Sequence, residues 1–183
     1  LLAARIGVHE SGLFKSLEVS SASRGNLLLL CRTPERFLRY LKTILIALPI
    51  WYLVGILVTF SPEIGTAIGL SEPPKAGRAV MFAYIGFVIG DLCSGLLSQY
   101  MRSRKKVIAI FLVITAASIT AFLELPAGSP DSLYNYCIPL GFAGGYWAVF
   151  ITTAAEQFGT NLRATVTTTA PNFVRGSTVV LTY

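Results

Sequence analysis

Histidine is almost missing from this 183-residue chain. The single one, His9, has no cysteine or second histidine within zinc-ligand spacing, and Cys31, Cys93 and Cys137 are isolated, far apart and odd in number. No framework for a metal site or a set of disulfides exists, and neither metal nor cofactor is expected. Charge is also scarce, at 13% Asp, Glu, Lys and Arg, too little for the surface of an ordinary soluble domain. The formal balance of +6 raises the question of nucleic acid. Its basic residues fall in a few short segments with no stacking aromatics among them, which excludes that partner. Strand alternation is absent as well, which leaves the α-helix as the workable form for long apolar segments.

What fills the chain is apolar: 54% hydrophobic residues, in long runs. Five segments stand out, Thr43 to Phe60, Ala79 to Leu97, Val107 to Leu125, Leu133 to Ala155 and Ala164 to Tyr183. Each is near the ~20 residues that cross a ~30 Å hydrocarbon core as an α-helix. In lipid every backbone polar group needs an internal partner, so the expected fold is all-α, a polytopic membrane helix bundle of about five spans. Pro49, Pro139 and Pro171 fall inside spans and should bend them. Gly86 with Gly90, and Gly141 with Gly145, each form the G-x-x-x-G spacing that lets two helix backbones approach. The patch Leu27 to Cys31 reads as a short interfacial helix.

The connections sort by charge. Residues 1 to 42 carry seven Lys or Arg and the loop at 99 to 106 carries four, against two in Ser61 to Arg78 and none in 126 to 132. By the positive-inside rule, residues 1 to 42 and the 99 to 106 loop are cytoplasmic, in an integral protein of the cell (inner) membrane, and the turn before the fifth span lies on the same side. The chain opens on Leu1 without methionine or a signal-peptide pattern and stops at Tyr183 inside an apolar run, as expected of a piece of a longer protein.

Two loops carry a resemblance. Gly95-x-Leu97-Ser98-Gln99-Tyr100-Met101-Arg102-Ser103-Arg104-Lys105 resembles the G-x-L-a-D-r-x-G-r-k turn of the major facilitator superfamily, between the second and third helices of each six-helix half. Here Gln99 replaces the aspartate and Arg102 stands where glycine is expected. Glu156-Gln157-Phe158-Gly159-Thr160-Asn161-Leu162-Arg163-Ala164-Thr165 resembles the E-x-F-P-T-x-x-R-a-T turn of the sugar and metabolite porters, with Gly159 for proline. Glu10-Ser11-Gly12 after Arg5 is faintly similar to the P-E-S-P-R signature that follows the sixth helix. The resemblance implies that residues 1–42 are the end of the sixth helix plus the central cytoplasmic loop. Residues 43–183 would then be a partial C-terminal half, helices seven to eleven, whose N-terminal half lies upstream. It also implies alternating-access transport of a small polar solute across the lipid bilayer, coupled to protons, with no covalent chemistry. Gly95 is expected to permit close packing at its helix end. Gln99, Arg102, Arg104, Lys105, Glu156 and Arg163 are the cytoplasmic gating motifs, with Glu156 free to pair with Arg163 or with the basic loop.

Polar and aromatic groups at depth are the candidates for substrate or coupling. Asp91 lies eight residues before Gln99, about 12 Å inside the basic face, and is read either as a coupling group or as a contact with Ser94 or a neighbouring helix. Arg175 lies eleven residues into the fifth segment, about 16 Å deep, where arginine costs roughly 2.5 to 3.5 kcal/mol unless it meets a partner or a water-filled cavity. Thr165, Thr168, Asn172 and Arg175 share one stripe at steps of three and four, and Asp91 is a candidate ion-pair partner for Arg175. Trp51, Tyr52, Tyr84, Tyr146 and Trp147 are candidates to line a cavity. Tyr134 and Tyr136 read as an outer aromatic belt, and Glu124 and Asp131 as solvated ends. A channel or receptor bundle shares this hydropathy without requiring the paired motifs. A membrane enzyme requires clustered His, Asp or Cys, and one linker histidine argues against it.

Overall fold

The computed structural model describes residues 27–124 and 128–182, all helix and connecting turns. The Glu10-Ser11-Gly12 segment and the end of a sixth helix lie outside the described residues. The helices are α1 (Leu28–Cys31), α2 (Pro34–Trp51), a π-helical continuation of α2 (Tyr52–Val58), α3 (Ser61–Ala67), α4 (Ala76–Tyr100), α5 (Arg104–Leu123), α6 (Pro130–Gly144), α7 (Trp147–Glu156) and α8 (Thr160–Thr182). Four stretches are long and apolar enough to cross a membrane: Pro34–Val58, Ala76–Tyr100, Arg104–Leu123 and Pro130–Glu156.

Two points about these spans need correction. The helix that carries the first apolar run starts at Pro34, ahead of that run at Thr43, so residue 42 lies inside a helix. Thr33 is extended and Pro34 takes the first helical position, where its fixed φ suits the helix and its missing N–H costs nothing. The second correction concerns α8, a helix of span length that is not among the four apolar ones. Its threonines, Asn172 and two arginines dilute the apolar run. Thr167, Thr168, Thr169 and Thr182 return their hydroxyls to carbonyls three or four residues back, which lowers the cost of holding them in an apolar bundle.

Pro49 marks a departure the sequence placed but did not describe. Without an N–H, and with its ring against the carbonyl four residues back, proline disturbs the α ladder. From Tyr52 the chain runs in the wider π form for seven residues, ending at Val58. Thr59 Oγ1 donates to Val54 O, five residues back, at 2.9 Å. A π segment realigns the side chains beyond it, and these segments gather at functional sites.

The tightest packing is between α4 and α6. Ala79, Ala83, Gly86, Gly90 and Ser94 form the buried stripe of α4. A Cβ on Gly86 would collide with Ile138 O, one on Gly141 with Ala83 O, and one on Gly145 with the Gly90 backbone. The G-x-x-x-G spacings are therefore a backbone-to-backbone contact that any larger residue would force apart. Gly95 is different: a Cβ there meets nothing within 4 Å, so the close packing expected of it is absent among the described residues. It lies one turn beyond the contact, toward the basic end.

Two buried clusters fill the bundle. One runs along α2, α5, α7 and α8 through Tyr40, Ala47, Ile50, Phe111, Tyr146, Phe150, Val166, Ala170 and Val174. The other, toward the opposite end, joins Leu53, Leu57, Ala83, Phe122, Leu133, Tyr134 and Cys137. Tyr134 is thus core, 3% exposed, and not part of an aromatic belt. Its hydroxyl accepts the Lys75 N–H at 2.7 Å, and the Arg78 guanidinium lies 4.7 Å from its ring centroid. Arg78 also pairs with Asp131 at 3.2 Å, so that carboxylate is a weak surface ion pair and more than a solvated end.

Candidate functional site

The fourth span is broken in the middle. α6 ends at Gly144 and α7 starts at Trp147, with Gly145 and Tyr146 between them off the helical path. A broken helix leaves carbonyls and N–H groups without intrahelical partners. Thr115 Oγ1 donates to Ala143 O at 3.1 Å, taking one freed carbonyl. Tyr146 is fully buried and donates its hydroxyl to Ile46 O at 2.8 Å, tying the break to α2 just before Pro49. Tyr146 is therefore a packing residue and lines no cavity.

Asp91 serves the other half of the break. Its Oδ1 accepts the Ala148 N–H at 3.1 Å, in the first turn of α7. The carboxylate of one helix caps the start of another, with its charge at the positive end of the α7 dipole. Ser94 donates to the backbone oxygen of Asp91 and leaves the carboxylate alone. An ion pair between Asp91 and Arg175 is not formed. Among the described residues the ion pairs are Arg78 with Asp131 and Arg104 with Glu156, while Asp91 Oδ1 accepts from α7.

Arg175 instead enters a cavity of about 270 Å³ lined by Ile50, Trp51, Val54, Tyr84, Phe87, Trp147 and Arg175 itself. Its guanidinium carbon lies 5.1 Å from the Trp51 ring, within cation–π range. Trp51 and Trp147 meet edge to face at 6.3 Å. The Trp51 Nε1 is buried with no hydrogen-bond partner. Trp51 comes from the end of α2, Tyr84 and Phe87 from the middle of α4, Trp147 from the break, and Arg175 from α8. The π segment after Pro49, the break after Gly144 and the polar helix α8 thus converge on one place.

Four of the six candidate substrate residues are brought together here: Trp51, Tyr84, Trp147 and Arg175. Asp91 stands behind Trp147, holding the backbone that presents the indole. Asn172 is elsewhere, donating to Thr168 O at 2.9 Å and bordering a separate hollow with Thr169 and Phe173. Tyr52 packs in the opposite-end cluster. The polar stripe on α8 is also narrower than expected, since Thr165 is buried while Thr168, Asn172 and Arg175 are exposed. Ile50, Val54 and Phe87 went unnoticed, being apolar residues in apolar runs.

At the basic end a second hollow of about 600 Å³ gathers Gln99, Arg102, Arg104, Lys105 and Glu156, with Thr153 and Gln157 beside them. Glu156 Oε2 lies 2.5 Å from Arg104 Nη1, an ion pair outside hydrogen-bond angles. Of the two partners expected for Glu156, the basic loop is the one it meets. Arg163 donates Nε to Ala155 O at 3.1 Å, and Arg39 donates Nη1 to Gln157 O at 3.0 Å. Two guanidinium groups thus sit at the negative end of α7. Arg102, one residue past the C-cap of α4, has φ of 48°, the left-handed region that favours glycine.

No family model matches this sequence, and no curated protein and no solved structure matches it.

Proposed function

We propose that this chain is the C-terminal half of a secondary transporter of the major facilitator type. It moves a small polar solute across the membrane by alternating access, with proton coupling and no covalent chemistry. The observation that carries the reading is the unpaired guanidinium of Arg175 facing an aromatic cavity where a π-widened, a broken and a polar helix meet. Transporter sites are typically built at such interruptions, near the bilayer midplane. The gathering of both loop motifs around one basic hollow supports it further. So does the left-handed backbone of Arg102, at the position where the resembling turn has glycine.

In this reading Arg104 and Glu156 close the cytoplasmic end in one state and separate in the other. The α4–α6 contact moves as a rigid pair. Uptake into liposomes carrying the protein, screened over small organic acids, sugars and amino acids, tests it. Saturable uptake accelerated by unlabelled solute on the far side is expected. Flux that rises linearly with concentration and shows no such acceleration belongs to a channel and overturns the reading.

A further inference from the structure

We propose that the cavity binds a small organic anion with a flat apolar body, such as a single-ring carboxylate, its charged group on Arg175 and its ring against the aromatic wall of Trp51, Trp147 and Phe87. The inference rests on the transporter reading and goes further by naming the class of solute. It is carried by the hydrogen-bonding character of the lining. Arginine has five N–H donors and no acceptor, and an indole Nε1 is a donor only. Tyr84 supplies the single side-chain hydroxyl, and Ile50, Val54 and Phe87 supply none. No carboxylate or amide side chain lines the cavity. A sugar brings several hydroxyl donors that each need an acceptor when desolvated, and this wall offers them little. A cation would meet the Arg175 charge. An anion, by contrast, answers the guanidinium, which has no carboxylate within ion-pair distance among the described residues.

Shape and size agree with charge. Two indoles set edge to face at 6.3 Å, with Phe87 beside them, present aromatic surface on more than one side. At about 270 Å³ the cavity lies at the small end of ligand sites, which suits one ring better than a disaccharide or a nucleotide.

Trp51 and Trp147 are the two tryptophans of the chain, so indole emission reports on this cavity. The test is quenching of that emission in the purified protein by 4-nitrobenzoate, with neutral 4-nitrobenzamide and glucose as comparisons. The acid is expected to quench saturably, with affinity at least tenfold above the amide and no saturable effect of glucose. Arg175→Gln should lower acid affinity at least tenfold and leave the amide within about twofold. Equal affinity for acid and amide in the unmodified protein overturns the proposal, and does so even if Arg175→Gln fails to fold. Selective acid binding without flux in liposomes would contradict the transporter reading and leave the anion site standing. Accelerated exchange of a sugar with no acid binding would do the reverse.

Discussion

Arg102 holds a left-handed backbone that costs a non-glycine residue roughly 1–2 kcal/mol, at the first position beyond the C-cap of α4. Arg102→Gly is therefore expected to raise the melting temperature of the detergent-solubilised protein, while Arg102→Ala leaves it unchanged or lower. A lower melting temperature for the glycine variant would show that the guanidinium contributes more than the backbone strain removes. Asp91 allows a similar separation. If its work is to cap α7, Asp91→Asn keeps an acceptor for the Ala148 N–H and stays stable, whereas Asp91→Ala loses about 1 kcal/mol. Under proton coupling the same Asn variant abolishes accumulation against a gradient while sparing exchange. Normal accumulation by Asp91→Asn would leave Asp91 with the capping role alone. The sequence flagged both Asp91 and Arg175 because charge within an apolar run is costly wherever it points. It did not reveal their partners, since an ion pair and two separate contacts fit the same spacing.

The helices divide into those whose packing is written in small residues and those whose shape is set by breaks. Gly86 and Gly145 each lie against backbone of the partner helix, so Gly86→Ala or Gly145→Ala should cost about 1–3 kcal/mol through overpacking, read as a lower melting temperature. Gly95→Ala is the control: its Cβ meets open space, and alanine favours the helix by up to about 1 kcal/mol, so stability should hold or rise. Equal losses at all three positions would contradict the α4–α6 contact as described. The G-x-x-x-G spacing made this contact legible because only small residues permit it. The π segment was not legible beyond the position of Pro49, because whether a proline kinks, widens or breaks a helix depends on its neighbours. The break after Gly144 was hidden for a related reason. An unbroken apolar run reads as one span, and the groups that tie the break, Thr115, Tyr146 and Asp91, come from three different elements.

At the scale of the molecule, the described residues hold four helical stretches long and apolar enough to span a membrane, and hydropathy alone was enough to find them. The fifth helix was placed correctly but its polar character was underrated, because threonine hydroxyls that bond back along their own helix allow a polar sequence to sit in a bundle. Exposed Ile85, Val88, Leu92 and Leu96 recur at helical spacing on α4, opposite its glycine face, as a lipid-facing surface would. In the proposed reading, charge asymmetry puts the 99 to 106 loop inside and the 126 to 132 loop outside. A single cysteine at Ser103 should be shielded from an impermeant reagent added outside intact cells, and one at Ser129 should react. The reverse pattern would invert the topology.

Alternating access is the central claim, and reagent access to the mid-bundle cavity from each side tests it most directly. Tyr84→Cys, in a cysteine-free background, places one thiol in the cavity wall beside Arg175. In membranes exposed on one face or the other to an impermeant thiol reagent, the account predicts labelling from both sides. It also predicts that Glu156→Gln, which removes the ion pair with Arg104, shifts the ratio of the two rates several-fold toward the basic end. Labelling from one side alone, or from both with a ratio that the Glu156 substitution does not move, would contradict it.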